Sequence, residues 1–192
     1  MSRWFWVRHA PTHARRMIGW TDIPADLGDT ERIARLDAML PRGALVISSD
    51  LLRATMTADA ITNGRTRLSH DAGLREIHFG AWEDRAHDEV HAETPDLIRA
   101  FWDQPGPTAP PGGESWGVFA GRVNAAVDRI AAAHPDRDII AVAHFGTILT
   151  QIERALGLPT IEAFAQRIEN LSLTELHRTD SGWTTGRINH HP

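Results

Sequence analysis

The chain contains no cysteine, which removes disulfides, thiolate nucleophiles and cysteine metal centres and leaves the redox compartment open. It also contains no lysine, so all 20 of its Lys+Arg residues are arginine. A Walker-type phosphate loop, a Schiff base and a lysine general base are thereby excluded. No apolar run approaches the roughly 20 residues of a membrane span. The patch from Trp4 to Val7 is far shorter than a signal-peptide core and runs straight into Arg8-His9. A net charge of -5 argues against nucleic acid as a partner and against a polybasic membrane surface. Any anion that binds must be drawn by a local pocket. A soluble cytoplasmic protein is expected, and either a monomer or a homodimer is compatible with the composition.

A length of 192 residues suits one domain large enough to bury most of its surface on folding. Trp4-Phe5-Trp6-Val7, Ala44-Leu45-Val46-Ile47 and Ile139-Ile140-Ala141-Val142 are short, continuous apolar runs bounded by turn residues. They carry the pattern of strands buried on both faces, as in parallel sheets. Helical spacing follows each run: Ile33, Leu36 and Leu40; then Leu52, Met56 and Ile61; then Ile148, Ile152 and Leu156. This alternation predicts an α/β fold, a three-layer sandwich whose mostly parallel central sheet has helices on both faces.

Residues 64–137 separate the second and third runs and are predicted to form a helical insertion over the C-terminal edge of the strands, within a single domain spanning 1–192. Trp116, Phe119, Val123, Val127 and Ile130 share one helical face, and His134-Pro135 stops that helix. Gln104 to Gly113 is a Pro/Gly loop. Leu171–His177 and Trp183–Ile188 predict a hairpin around Asp180-Ser181-Gly182.

In an open α/β sheet, ligands bind beyond the carboxyl ends of the strands. Arg8-His9, Ser48-Ser49-Asp50 leading to Arg53, and His144-Phe145-Gly146 all fall at that edge. Arg53 belongs to the first turn of its helix, and Gly146 lets a helix begin directly after His144, aiming free backbone N–H groups at an anion. Two guanidiniums, one or two imidazoles and helix N-termini together make a pocket for a tetrahedral dianion.

Val7-Arg8-His9-Ala10-Pro11-Thr12 resembles the Arg-His-Gly-x-Thr signature of the histidine phosphatase superfamily, the phosphoglycerate mutase-like fold. Gly19-Trp20-Thr21-Asp22-Ile23-Pro24 is similar to that family's next motif, and Ser48-Ser49-Asp50-Leu51-Leu52-Arg53-Ala54 to its second arginine motif. Leu74-Arg75-Glu76-Ile77-His78-Phe79-Gly80-Ala81-Trp82-Glu83 resembles the acid-bearing motif. Pro111-Gly112-Gly113-Glu114-Ser115 resembles a further loop, and Val142-Ala143-His144-Phe145-Gly146 the second histidine motif. The motifs occur in the family's order and span nearly the whole chain.

The resemblance implies a phosphomonoester hydrolase, metal-independent and without a cofactor, acting on a small phosphorylated metabolite. His9 is then the nucleophile that becomes phosphohistidine. Arg8, Arg53 and His144 hold the phosphoryl oxygens, Glu76 protonates the leaving group, and Thr12, Gly19, Thr21, His13 and Phe145 are the expected substrate contacts. Neighbouring guanidiniums are expected to keep the attacking nitrogen of His9 unprotonated, and burial to raise Glu76. Three departures stand out: Ala10 replaces the usual glycine, Asp84 another, and the stretch from Thr12 to Gly19 is short and lacks the family's asparagine. His13 and Thr21 are the candidates to replace that asparagine, and the methyl of Ala10 is expected to narrow the pocket.

Other readings compete. Mutase-type phosphoryl transfer shares the same intermediate, but the glycolytic mutases carry enclosing insertions that this compact chain lacks. An α-ribazole-phosphate phosphatase is a named alternative within the compact subset. A non-catalytic phosphate-binding module is disfavoured because His9 and Glu76 are both present. Gly113-Glu114-Ser115-Trp116-Gly117 matches the nucleophile elbow of serine hydrolases, but that elbow needs a strand before Ser115, which Pro105 to Gly113 cannot supply. His87 and His91 lie one helical turn apart, a geometry open to zinc, but with no third ligand indicated. Trp20 and Trp82 are weighed equally between core and substrate entrance.

Overall fold

The computed structural model describes residues 2–180 and 182–192. Along the chain run β1 (Ser2–Arg8), α1 (Thr30–Met39), β2 (Leu45–Ser48), α2 (Leu52–Ala60), β3 (Thr66–Arg67), α3 (His87–Glu93), α4 (Pro95–Asp103) and α5 (Trp116–Ala133). There follow β4 (Ile139–Ala143), α6 (Phe145–Leu156), α7 (Thr160–Phe164), β5 (Leu173–Thr179) and β6 (Gly182–Thr185). The six strands form one sheet in the order β3-β2-β4-β1-β5-β6. β3, β2, β4 and β1 are parallel, and the β5–β6 hairpin completes one edge antiparallel. This is the expected α/β sandwich; Ser181 of the hairpin turn lies outside the described residues.

The unbroken apolar run of β1 serves two cores at once. Successive side chains of a strand point to opposite faces, so Trp4 and Trp6 join one apolar cluster with Val123, Val127, Ile148 and Ile152. Phe5 and Val7 join the other, with Ile33, Leu36, Ala54 and Ala58. Helices α5 and α6 thus cover one face of the sheet, and α1 and α2 the other. Trp4 and Trp6 stack on each other with ring centroids 5.5 Å apart.

Helix α2 differs from its expected face. Leu52 is 44% exposed and Met56 only partly buried, while Arg53, Ala54, Thr57 and Ala58 turn inward. Small alanines let the helix approach the sheet closely, and that rotation brings Arg53 under the strand ends.

The segment 64–137 has three parts. It opens with β3, which pairs with β2, and closes with α5, whose buried face belongs to the sheet core. Between them, two short 3-10 turns at Ala72–Leu74 and Gly80–Trp82, helices α3 and α4 and a Pro/Gly loop carry Glu76 and the apolar residues around it.

Candidate active site

The parallel register carries the site. Val7 pairs with Val142 and Arg8 with Ala143, and the His9 N–H donates to the Ala143 carbonyl at 3.0 Å. The next residues in step are His9 and His144, whose ring centroids lie 5.2 Å apart. On the other flank of β4, the Ser49 N–H donates to the Val142 carbonyl at 3.1 Å, so the chain leaving β2 toward α2 rises beside them. Three segments far apart in sequence therefore meet at one sheet edge.

Arg8, His9, Thr12, Ala14, Arg16, Ile18, Arg53, Glu76 and Phe145 line a cavity of about 140 Å³ at that edge. Three guanidiniums against one carboxyl group make it a site for an anion. Arg53 is almost wholly buried and is aimed by two carbonyls, donating to Gly19 O at 2.6 Å and to Thr21 O at 2.9 Å. Arg8 donates to the Ile168 carbonyl at 2.6 Å, and its ring-side partner is Phe145, whose centroid is 5.4 Å from the guanidinium carbon.

His9 is held in one tautomer. Its Nδ1 lies 2.7 Å from the carbonyl of Ala10, a contact that requires a proton on Nδ1 and leaves the lone pair on Nε2. Its pKa is pushed down to about 3, first by burial and then by Arg53, with a smaller contribution from Arg8. Burial thus does more than either guanidinium to keep the ring neutral.

His144 has the same two leading causes, burial and then Arg53, and is pushed well below the ordinary histidine value of 6.5. It is the N-cap of α6, is wholly buried, and among the described residues neither ring nitrogen has a hydrogen-bond partner. Buried polar atoms left this way cost free energy.

Glu76 is raised above the ordinary carboxyl value by burial, against backbone N–H bonds to its oxygens from Gly146 at 3.0 Å and Ile77 at 2.9 Å. A Cβ at position 146 would lie 2.3 Å from Glu76 Oε1, so glycine there makes room for the carboxyl group as well as starting α6. The backbone of Glu76 is fixed by two donors to its carbonyl, the indole N–H of Trp20 at 2.8 Å and Arg122 Nη2 at 3.0 Å. Arg122 in turn is gripped by both oxygens of Glu114 at 2.8 and 2.7 Å.

The expected contacts divide. Thr12 and Phe145 line the cavity. Gly19 and Thr21 reach it only through the carbonyls that hold Arg53, because the Thr21 hydroxyl donates to Glu83 Oε2 at 2.5 Å. His13 lies outside the lining, exposed and 2.7 Å from Asp26. Both candidates to replace the family's asparagine thus have acidic partners, and the same loop places Arg16 in the lining, its Nη1 also donating to the carbonyl of Asp84 at 2.7 Å. Arg16 is missing from the sequence-derived set, and its only signal was a charge in the shortened loop.

The Ala10 methyl does not narrow the cavity: Ala10 packs into the apolar core beneath α1 and α2, and its N–H donates to the Thr57 hydroxyl at 2.9 Å. Asp84 has φ of 54°, a left-handed conformation natural to glycine and among the better tolerated by aspartate. Trp82 is core, edge-on to Phe101 at 5.5 Å.

Ser115 is the N-cap of α5, its hydroxyl accepting from the Val118 N–H, with no strand before it. A nucleophile elbow is absent there. His87 and His91 stack at 6.0 Å on α3, and among the described residues no group of three metal-capable side chains occurs. Among the same residues no helix is long and apolar enough to cross a membrane.

The sequence profile of the histidine phosphatase superfamily (branch 1) matches residues 4–191. A glucosyl-3-phosphoglycerate phosphatase of Mycolicibacterium vanbaalenii is 36% identical over 166 residues, covering 80% of this chain and 73% of its own. An adenosylcobalamin/alpha-ribazole phosphatase of Salmonella typhimurium is 30% identical over 125 residues, 65% of this chain and 62% of its own. The solved structure of YhfR from Bacillus stearothermophilus superposes with a TM-score of 0.91 at 26% identity, covering 100% of this chain and 98% of that one.

Proposed function

Because the chain belongs to the histidine phosphatase superfamily, branch 1, we propose that its strand-end cavity hydrolyses small phosphomonoesters through a phosphohistidine on His9. The chain is a phosphatase of this family, as the named activities of its relatives support. The observation that carries the assignment of residues is the fixed tautomer of His9: its Nδ1 proton is committed to Ala10 O, so Nε2 is the free base in a cavity lined by arginine.

Nε2 attacks phosphorus, and the bond from phosphorus to the ester oxygen breaks. Glu76, whose protonated form burial favours, gives its proton to the departing oxygen. Water then attacks the phosphohistidine, the P–N bond breaks, and the Glu76 carboxylate takes the proton that water loses. Arg8, Arg53 and Arg16 neutralise the phosphoryl oxygens, the task of metal ions in other phosphoryl transfers. The arriving dianion gives the unpartnered nitrogens of His144 a hydrogen-bond acceptor and favours its protonated form.

Thr12 and Phe145 border the phosphoryl group and the substrate body, and Gly19 and Thr21 serve it by holding Arg53. The whole chain acts as one domain, with the segment between β3 and α5 closing the cavity.

The test is turnover of p-nitrophenyl phosphate with a chelator present, together with acid-quenched trapping of phosphoprotein from a labelled ester. Wild type turns over and traps label on His9. Full activity in His9→Ala overturns the mechanism.

A further inference from the structure

Glu76 and Phe145 border both the phosphoryl cavity and a second one, of about 190 Å³, whose lining includes none of the arginines. Its other walls include Phe79, Phe101, Trp102, Trp116, Leu149 and Phe164, and among the described residues Glu76 is the only ionisable one lining it. The walls are set against one another. Phe101 and Trp102 meet edge to face at 4.9 Å, Trp116 and Phe164 at 4.6 Å, and the Trp116 indole N–H donates to Glu153 at 2.7 Å. The space is therefore preformed and does not depend on a ligand to open it.

Resting on the phosphatase reading above, we propose that this cavity receives the alcohol part of the substrate and selects phosphomonoesters carrying an apolar group about the size of one ring. The ester oxygen must touch the Glu76 carboxyl group to take its proton, so the carbon attached to that oxygen continues past Glu76. The second cavity that Glu76 borders is apolar. An engineered dry cavity of about 150 Å³ takes one benzene; this one accommodates a ring with a short linker. A sugar or a carboxylate placed there gives up its water for walls that are mostly aromatic and aliphatic side chains. The cation at the rim, Arg16, belongs to the phosphoryl cavity and does not line this one.

The test compares kcat/KM for 2-phenylethyl phosphate, ethyl phosphate and 3-phosphoglycerate, all esters of alkyl alcohols, so that leaving-group acidity does not dominate. Phenylethyl phosphate is expected to lead ethyl phosphate by about 10–100-fold, the effect of burying one ring, with 3-phosphoglycerate no better than ethyl phosphate. Leu149→Trp fills the cavity and lowers the phenylethyl-to-ethyl ratio about tenfold or more. A ratio is indifferent to the fraction of protein that folds, and Leu149→Phe serves if the larger side chain yields no active protein.

Ethyl phosphate or 3-phosphoglycerate matching phenylethyl phosphate overturns the selection while leaving the phosphatase intact, as does an unchanged ratio in the filled variant. Failure to hydrolyse these esters and p-nitrophenyl phosphate alike overturns the phosphatase reading and the selection with it.

Discussion

His9 and His144 end neighbouring parallel strands in register, their rings 5.2 Å apart, yet the chain treats them differently beyond that point. His9 leads into a loop, opens on the cavity and has one nitrogen committed to the carbonyl of Ala10. His144 leads directly into α6, is wholly buried and has neither nitrogen committed. Both are driven toward the neutral form by the same leading causes, burial and then Arg53. The electrostatic setting therefore does not separate their roles. In the proposed mechanism the local backbone does: a fixed tautomer with a free Nε2 suits His9 to be the nucleophile, whereas the uncommitted buried ring of His144 is a partner for oxygens that arrive with the substrate.

The largest effect is expected from breaking this comparison directly. His9→Ala should lower kcat/KM by about 10⁴-fold or more and leave no acid-trappable phosphoprotein. His144→Ala should lower it by about 10²–10³-fold, the scale of removing one transition-state hydrogen-bond donor, while label still accumulates on His9. Rapid acid quench with a labelled ester reads both. Label lost in His144→Ala and kept in His9→Ala reverses the assignment.

In the proposed mechanism Glu76 supplies the leaving-group proton, and its pH dependence has a definite sign. Its pKa is raised, so the protonated, working form persists above the ordinary carboxyl range and is lost as pH rises through the raised value. His9, at about 3, stays an unprotonated base throughout that range and contributes no limb near neutrality. Glu76→Gln should therefore cost about 10²–10⁴-fold with an alkyl ester, less with p-nitrophenyl phosphate, whose leaving group needs little acid help. The ratio of wild-type to variant kcat/KM should fall toward one at high pH with the same ester. A ratio independent of pH assigns the proton to another group.

The difference between the two histidines was legible in the sequence only in part. Parallel strands place their carboxyl ends at one edge by topology alone, so Arg8, His9, Arg53 and His144 could be grouped from apolar runs and the turn chemistry after them. What aims those groups comes from far along the chain and leaves no local pattern. The Trp20 indole reaches the Glu76 carbonyl across 56 residues, and Arg122 reaches it across 46. The face of α2 was misjudged because spacing counts Leu52 and Met56 as core, whereas the alanines and Arg53 are what pack. His13 and Thr21 have the right chemistry for a phosphate contact, but Asp26 and Glu83 engage them. The apolar cavity draws walls from α4, α5, α6 and α7, a convergence that no single periodicity reveals.

Glu83 offers the finest probe of what the two histidines share, because it governs Arg53 without touching either ring. Its carboxylate accepts from the N–H groups of Gly19, Trp20, Thr21 and Phe79 at 2.7–3.1 Å and from the Thr21 hydroxyl at 2.5 Å. Burial favours the neutral form, but these bonds, led by that from Thr21, outweigh it and hold the pKa below the ordinary glutamate value. The loop so fixed presents the Gly19 and Thr21 carbonyls that aim Arg53. A Cβ at Gly19 would lie 2.4 Å from Glu83 Oε1, so loop and carboxylate fit only with glycine there. Glu83→Ala frees those donors and loosens Arg53 but not Arg8, which is anchored on the Ile168 carbonyl. KM and the inhibition constant of inorganic phosphate should each rise about tenfold with a smaller fall in kcat, and Tm should drop. The contrast in phosphoprotein trapping between His9→Ala and His144→Ala should persist when each is combined with Glu83→Ala. Its disappearance assigns the difference between the two rings to Arg53 and removes it from the backbone that follows each strand.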